Sequence, residues 1–317
     1  MTSDPLISVV IPTRGRADLL KRAIESVYKQ TFTNYQIVVV VDGPDTETES
    51  MLQELENSKL EYIINPESLG GSEARNVGVN HARGNWIAFL DDDDEWFPNK
   101  LEEQYKIAQQ KRDKSPIIYS RLIASSPKAD YEWPRRGIKK NEHISEYLFT
   151  RRSLFQGEGL IQTSTIFVSR DLMIALPFKK GLKRHQDWDW LLRAAKTNKV
   201  EFVFCPLILT KWYIEEKRKS VSKIGDWKYS LNWTLENDQL FTPRGLSSFV
   251  MTVVSSISAR EGNYGSIFKL LKISFKHGRP SFFDCLIFSG MWLVPQNIRH
   301  TIRKLTNIKS KLIRGES

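Results

Sequence analysis

Cysteine is nearly absent: the 317 residues hold two, Cys205 and Cys285. No disulfide framework can be built from so few, and neither sits in a metal-binding or redox spacing. A reducing compartment is the expectation. The N-terminus Met1-Thr2-Ser3-Asp4-Pro5 has no basic region followed by an apolar core, so no signal peptide is expected. Long apolar runs are missing too. The longest near the C-terminus, 281–295, is interrupted by Asp284 and falls short of the ~20 residues a spanning helix needs. Internal repeats and low-complexity tracts are absent. Acidic residues are scarce at the C-terminal end: residues 266–317 carry only Asp284 and Glu316 among many Lys and Arg.

What is present is a chain with net charge +10 and 40% hydrophobic residues. The length allows one large domain, or one domain plus an appendage. The positive balance favours polyanionic partners: nucleotide phosphates, an anionic membrane surface or nucleic acid.

The first half alternates buried strands and helices. Apolar runs at 7–11, 36–41, 60–64 and 86–90 read as strands. Helical periods cover 19–30, 46–56, 72–82 and 98–112, and a further strand follows at 117–120. Such alternation predicts an α/β fold, a mostly parallel sheet with helices on both faces. Residues 121–159 read as irregular, 163–169 as a strand, 187–195 as a helix, and 200–204 and 207–213 as two strands. From 240 onward the pattern is helical and basic. The expected division is a catalytic domain over 1–225, with a nucleotide-binding half at about 5–120 and an acceptor half at about 121–225. A helical basic extension follows over 226–317.

The most informative feature is Asp91-Asp92-Asp93-Asp94, directly after the apolar strand 86–90. Four consecutive carboxylates repel one another unless a cation neutralises them. Mg²⁺ or Mn²⁺, a hard cation with oxygen ligands, suits them and would bring substrate phosphates with it. Thr13, Asp42 and Asp91 each follow a different strand, so the topology should gather them at one carboxyl edge of the sheet. Two readings of Asp42 are open: an ordinary Asx turn, or an acceptor for a base N–H. Gly70-Gly71 opens a helix bearing Arg75: a plain connecting loop taken by itself, or a place where backbone and helix N-terminus favour an anion. His185-Gln186-Asp187-Trp188-Asp189-Trp190 interleaves acids with tryptophans. One of the acids could have its pKa raised toward that of a working base, or both could simply sit on a helix N-terminus. His185 reads as a supporting or surface residue.

Taken in order, Ser8 to Thr13, Gln30-Thr31-Phe32, Asp42-Gly43, Gly70 to Gly78, Phe89 to Trp96 and Gln186 to Asp189 resemble glycosyltransferase family 2, the inverting GT-A enzymes. The resemblance spans 7–222. It implies a Rossmann-like GT-A sheet and a UDP-sugar donor. Pro12, Thr13, Arg14, Arg16, Asp42, Gly70, Arg75, Asp91, Asp92 and Arg218 would bind that donor. Asp42 would read the uracil edge, and Asp91 and Asp93 would hold Mn²⁺ or Mg²⁺. Asp187 would be the catalytic base. Arg218, Ser220 and Ser222 match a segment that covers the diphosphate in family members. Arg14-Gly15 replace the usual Tyr-Asn, Val41-Asp42 the usual acidic pair, and Gln186 the usual Glu.

The C-terminal layout resembles bacterial enzymes that build O-antigen units on a polyprenyl-diphosphate sugar. Some of those transfer glucose to GlcNAc in β1,3 linkage. A lipid-linked acceptor would account for basic amphipathic stretches at 268–276 and 299–314 as contacts with an anionic membrane; the other reading is a helical cap on the catalytic domain with a solvated basic face. The implied enzyme works at the cytoplasmic face of the membrane and binds no nucleic acid. Its rivals are a metal-dependent sugar nucleotidyltransferase and a non-catalytic nucleotide-sugar-binding protein.

Overall fold

The computed structural model describes residues 4–55, 57–111, 114–127, 129–153, 157–214 and 226–294. The chain divides into two compact units, Met1–Leu148 with Gly157–Val221, and Phe149–Gln156 with Ser222–Ser317.

The first unit begins with β1 (Ile7–Thr13), α1 (Ala17–Tyr28), β2 (Tyr35–Val41), α2 (Thr46–Glu54), β3 (Leu60–Ile64), α3 (Gly71–His81) and β4 (Trp86–Phe89). Every residue of β1 and β2 is buried. That is the consequence of apolar runs covered on both faces of a parallel sheet. Thr13 lies opposite Val41 and Val10 opposite Phe89. The residues that follow these strands therefore emerge along one edge. At Gly78 an added Cβ would stand 2.4 Å from a methyl of Val10. The missing side chain lets α3 lie close on β1.

Next come β5 (Glu95–Trp96), α4 (Lys100–Gln109), β6 (Ser115–Ser126), β7 (Ala129–Trp133), α5 (Ile144–Phe149), a 3₁₀ turn (Thr163–Thr165), β8 (Phe167–Ser169), α6 (Arg170–Ala175), α7 (Gln186–Ala194) and β9 (Val200–Tyr213). The sheet order is β3-β2-β1-β4-β8-β6-β9-β5, with β7 on β6.

The sheet is mostly parallel, as expected, with β5, β7 and β8 antiparallel to their neighbours. Two features differ from the sequence reading. β6 continues to Ser126, through a stretch read as irregular, because 122–125 gain partners on both sides from β7 and the end of β9, and Ser126 pairs with β7. The two strands expected at 200–204 and 207–213 are one strand. Its register shifts between Cys205, opposite Ser120, and Ile208, opposite Arg121. Pro206 falls in that irregularity, where its missing N–H costs the ladder nothing.

The second unit is helical: α8 (Trp227–Glu236), α9 (Pro243–Ser248), a π-helical turn (Phe249–Val254), α10 (Ser255–Arg260), α11 (Ile267–His277) and α12 (Phe282–Leu293). Its core includes the rings of Phe149, Trp233, Phe241 and Phe249, with centroids 4.8–5.8 Å apart. Asp284, which interrupts the apolar run, is buried. It pairs with Arg244 and accepts from Ser248. Among the described residues no helix is long and apolar enough to cross a membrane.

Candidate active site

The carboxylates after β4 meet four different environments. Asp91 faces Arg75, whose Nη2 lies 2.5 Å away, and accepts from Gln162 Nε2 at 3.3 Å. Asp92 is buried. It accepts from Thr13 Oγ1 at 2.7 Å and stands 2.9 Å from Arg16 Nη2. Asp93 accepts from Arg16 Nη1 at 3.0 Å, and its backbone carbonyl accepts from Arg22 at 2.8 Å. Asp94 turns inward to Ser164 Oγ at 2.6 Å and Gln162 Nε2 at 2.8 Å. The first three form the working face, and Asp94 anchors the loop. Burial pushes the Asp92 carboxyl up to about 7 against the pull of Arg16, with Asp93 and Asp91 adding their repulsion.

Arg75, on the second turn of α3, is the junction of the site. Its Nη1 donates to Gly71 O at 3.2 Å and to Gln186 Oε1 at 3.1 Å, and its Nη2 reaches Asp91. A Cβ on Gly71 would stand 3.0 Å from Gln186 Oε1. Glycine here lets the starts of α3 and α7 come together.

Asp187 lies in the first turn of α7 and accepts from Thr163 Oγ1 at 3.1 Å. Burial pushes its carboxyl above the usual range. Arg75 opposes that rise and Asp91 adds to it. Asp189 is about 200° further round the helix at 100° per residue, fully buried and paired with Arg193 Nε at 2.7 Å. The two interleaved acids thus have separate jobs. Trp190 is in the core beside Phe178, and Trp188 stacks on His185 at 5.0 Å. Burial pushes His185 down to about 3, and the nearby Arg184 adds to this.

Asp42 follows the last residue of β2. Its carboxylate accepts from Leu69 N (2.7 Å), Ser68 Oγ (2.8 Å), Gly70 N (2.9 Å) and Asn65 Nδ2 (3.3 Å). A carboxylate has about four acceptor positions, and all are taken. Asp42 therefore shapes the loop 65–70. Burial alone would raise its pKa; these four bonds hold it below the ordinary value. Gly70, at φ +88°, spends its N–H on Asp42. Arg14 is exposed and donates to Ser68 Oγ at 2.7 Å. Pro12 is buried within β1 opposite Val40. Arg218, Ser220 and Ser222 lie outside the described residues.

The motif reading missed Gln162, Thr163, Ser164 and Arg22. A signal for the first three was available: Gln162 to Thr165 are four polar residues between Ile161 and Ile166, and all six are buried. Buried polar side chains in an apolar setting need partners, and those of Gln162, Thr163 and Ser164 include the acids Asp94 and Asp187.

The donors of the metal loop are hard carboxylate oxygens, and two of the three carboxylates on the working face, Asp91 and Asp93, keep part of their side chains exposed. Among the described residues no three His, Cys, Asp or Glu side chains form a ready cage. Mg²⁺ and ions like it take one or two carboxylates and complete their shell with water and phosphate. Asp91 and Asp93 fit that requirement.

Similarity to known proteins agrees with this geometry. The chain is 29% identical over 239 residues to the amylovoran biosynthesis glycosyltransferase AmsB of Erwinia amylovora, covering 73% of this chain and 77% of that one. It is 26% identical over 240 residues to WfgD of Escherichia coli, a UDP-Glc:alpha-D-GlcNAc-diphosphoundecaprenol beta-1,3-glucosyltransferase, covering 76% and 88%. Staphylococcus aureus TarS 1-349 in complex with UDP-GlcNAc superposes with a TM-score of 0.55 at 16% identity, over 90% of this chain and 78% of that one. The mannosyltransferase PcManGT of Pyrobaculum calidifontis, in complex with GDP-Man and Mn²⁺, gives 0.58 at 14%, over 98% and 86%. At such identities the likeness shows the fold, a GT-A sheet. The family description Glycosyl transferase family 2 matches residues 8–174, and with the acids, arginines and sheet edge in these positions the chain belongs to that family of glycosyltransferases.

Proposed function

We propose that the protein transfers a sugar, with inversion, from a UDP-sugar to a sugar carried on a polyprenyl diphosphate, in surface polysaccharide synthesis. One observation carries this reading: Arg75 joins the metal loop, through Asp91, to the start of the helix that bears Asp187, through Gln186. Donor-binding and base-bearing segments thus share one side chain.

In the proposed mechanism Asp187 takes the proton of the acceptor hydroxyl, which attacks the anomeric carbon opposite the leaving UDP. Its raised pKa makes it a better base than an ordinary carboxylate, and Thr163 orients it. Arg75 keeps Asp91 and Gln186 in place. Thr13, Arg16 and Asp92 line the donor side, with Pro12 shaping the strand end. Mn²⁺ or Mg²⁺, held by Asp91 and Asp93, would supply positive charge to the leaving diphosphate.

UDP-glucose as donor and a β1,3 linkage to GlcNAc are the finer reading, supported by the likeness to WfgD. The acceptor reading agrees with the second unit. α12 turns Phe282 (75% exposed), Leu286 (42%) and Leu293 (80%) outward on one face, and α11 exposes Phe268 (82%) and Phe275 (62%) among Lys269, Lys272 and Lys276. An apolar stripe with basic neighbours suits the anionic cytoplasmic membrane surface. The second basic stretch, 299–314, lies outside the described residues.

The test is UDP release from a panel of UDP-sugars with Mn²⁺ and a GlcNAc-diphosphate-lipid analogue. Acceptor-dependent UDP from one donor supports transfer. Pyrophosphate released from UTP and a sugar 1-phosphate, with no UDP from any UDP-sugar, would show a nucleotidyltransferase. Metal-dependent UDP binding with no turnover on any acceptor would show a binding protein.

A further inference from the structure

We infer that Arg16 is the resident counter-cation of the metal loop, and that divalent metal and nucleoside diphosphate enter together by displacing it. The inference rests on the reading of Asp91 and Asp93 as metal ligands and adds how that metal is admitted.

Arg16 sits at the N-cap position of α1, where its side chain makes no capping bond. It extends across the sheet edge to the loop after β4. Its two terminal nitrogens reach two different carboxylates, Nη2 to Asp92 at 2.9 Å and Nη1 to Asp93 at 3.0 Å. Arg75 meets Asp91 in the same way. Two guanidinium groups thus face three neighbouring carboxylates, which relieves much of the repulsion that a divalent ion would otherwise relieve.

The two arginines differ in freedom. The Arg75 side chain is 11% exposed and is also held by Gly71 and Gln186. The Arg16 side chain is 31% exposed, and among the described residues its ion pairs are those with the two carboxylates. Arg16 can therefore swing toward solvent while Arg75 stays. A metal ion arriving alone must break a prepaid bidentate pair and leave Arg16 without an anion. A diphosphate arriving with the metal supplies that anion, and Arg16 then faces phosphate oxygens. Metal and nucleotide become coupled through this side chain, and such coupling acts equally in both directions.

The experiment is Mn²⁺ binding to the full chain, read by electron paramagnetic resonance of free Mn²⁺, with and without saturating UDP. For Arg16→Gln, Mn²⁺ alone is expected to bind about fivefold more tightly than to the unsubstituted protein. The gain in Mn²⁺ affinity produced by UDP is expected to shrink by a similar factor. Arg16→Lys keeps one charge but cannot span both acids, so it should fall between the two. Circular dichroism of each variant checks that the fold is kept. Unchanged or weaker binding of Mn²⁺ alone to both folded variants would overturn the inference. Should the unsubstituted protein bind no Mn²⁺ even with UDP, the failure belongs to the metal assignment itself.

Discussion

Thr163 and Asp187 are joined by a hydrogen bond of 3.1 Å, from the hydroxyl of the one to the carboxylate of the other. The next residue, Ser164, donates through its hydroxyl to Asp94 and accepts from the backbone N–H of Asp91. One 3₁₀ turn therefore supports both Asp187, the proposed base, and the acidic loop after β4. The distance between the two chemistries is set by three consecutive residues of buried chain, and that rigidity underlies the expectations below.

Replacing Asp187 by Asn removes the proton acceptor and keeps the shape. Transfer is expected to fall on the order of 10³-fold, the usual contribution of a general base. UDP binding in the presence of Mn²⁺, measured by calorimetry, should change little. Retention of more than a tenth of the activity would exclude Asp187 as the base.

The pH profile follows from the direction of the Asp187 shift. The base works when deprotonated, so kcat/KM falls as pH drops through its pKa. Burial and Asp91 place that pKa above the ordinary 3.8. The acid limb should therefore lie above the ordinary carboxylate range. The Thr163 hydrogen bond favours the charged form. Thr163→Val is expected to move the limb to still higher pH, and a move to lower pH would contradict this arrangement.

Asp42→Ala tests whether this residue shapes the loop or reads the base. Four hydrogen bonds to the loop 65–70 are lost, and the donors Leu69 N and Gly70 N are left without their acceptor. A loss of about 2–3 kcal/mol in stability is expected, measurable by urea unfolding. Nucleotide binding should weaken to the same degree for UDP and for other nucleoside diphosphates. A loss confined to uracil nucleotides would show the base-reading role.

Gly78→Ala places a methyl 2.4 Å from Val10 Cγ1. Overpacking of this kind costs about 1–3 kcal/mol, so Tm should drop by several degrees. Because α3 also carries Arg75, activity should decline in the fraction that remains folded. A Tm equal to that of the unsubstituted protein would show that β1 can yield at this point.

Removal of divalent metal by a chelator is expected to abolish transfer, and Asp93→Ala to do the same at any Mn²⁺ concentration that saturates the unsubstituted protein. Full activity with chelator present would falsify the metal role of Asp91 and Asp93.

The strands β1, β2 and β4 and the edge they share were legible because their signals are local: unbroken apolar runs closed by turn residues. The polar hairpin of β6 and β7 was not, since residues 121–133 carry no strand pattern strong enough to stand without their partners. β9 was read as two pieces because Pro206 breaks a strand in isolation, whereas a register irregularity accommodates it in the sheet. Among the site residues, Asp91, Asp93, Arg75 and Asp187 stood out by motif. Gln162, Thr163 and Ser164 did not, because a hydroxyl or amide becomes informative only when its burial is known.

By itself the sequence determined which residues could be charged, which runs had to be buried, and that the acids after β4 needed cations. Those properties belong to side-chain chemistry and to near neighbours along the chain. Only the tertiary structure decided which carboxylate meets which partner. It turned Asp94 and Asp189 inward, left Asp91, Asp93 and Asp187 around Arg75 and Arg16, and spent Asp42 on its own loop. The reason is physical: a carboxylate's role depends on the donors and charges within a few ångströms of it, and here many of those come from residues far away in the chain.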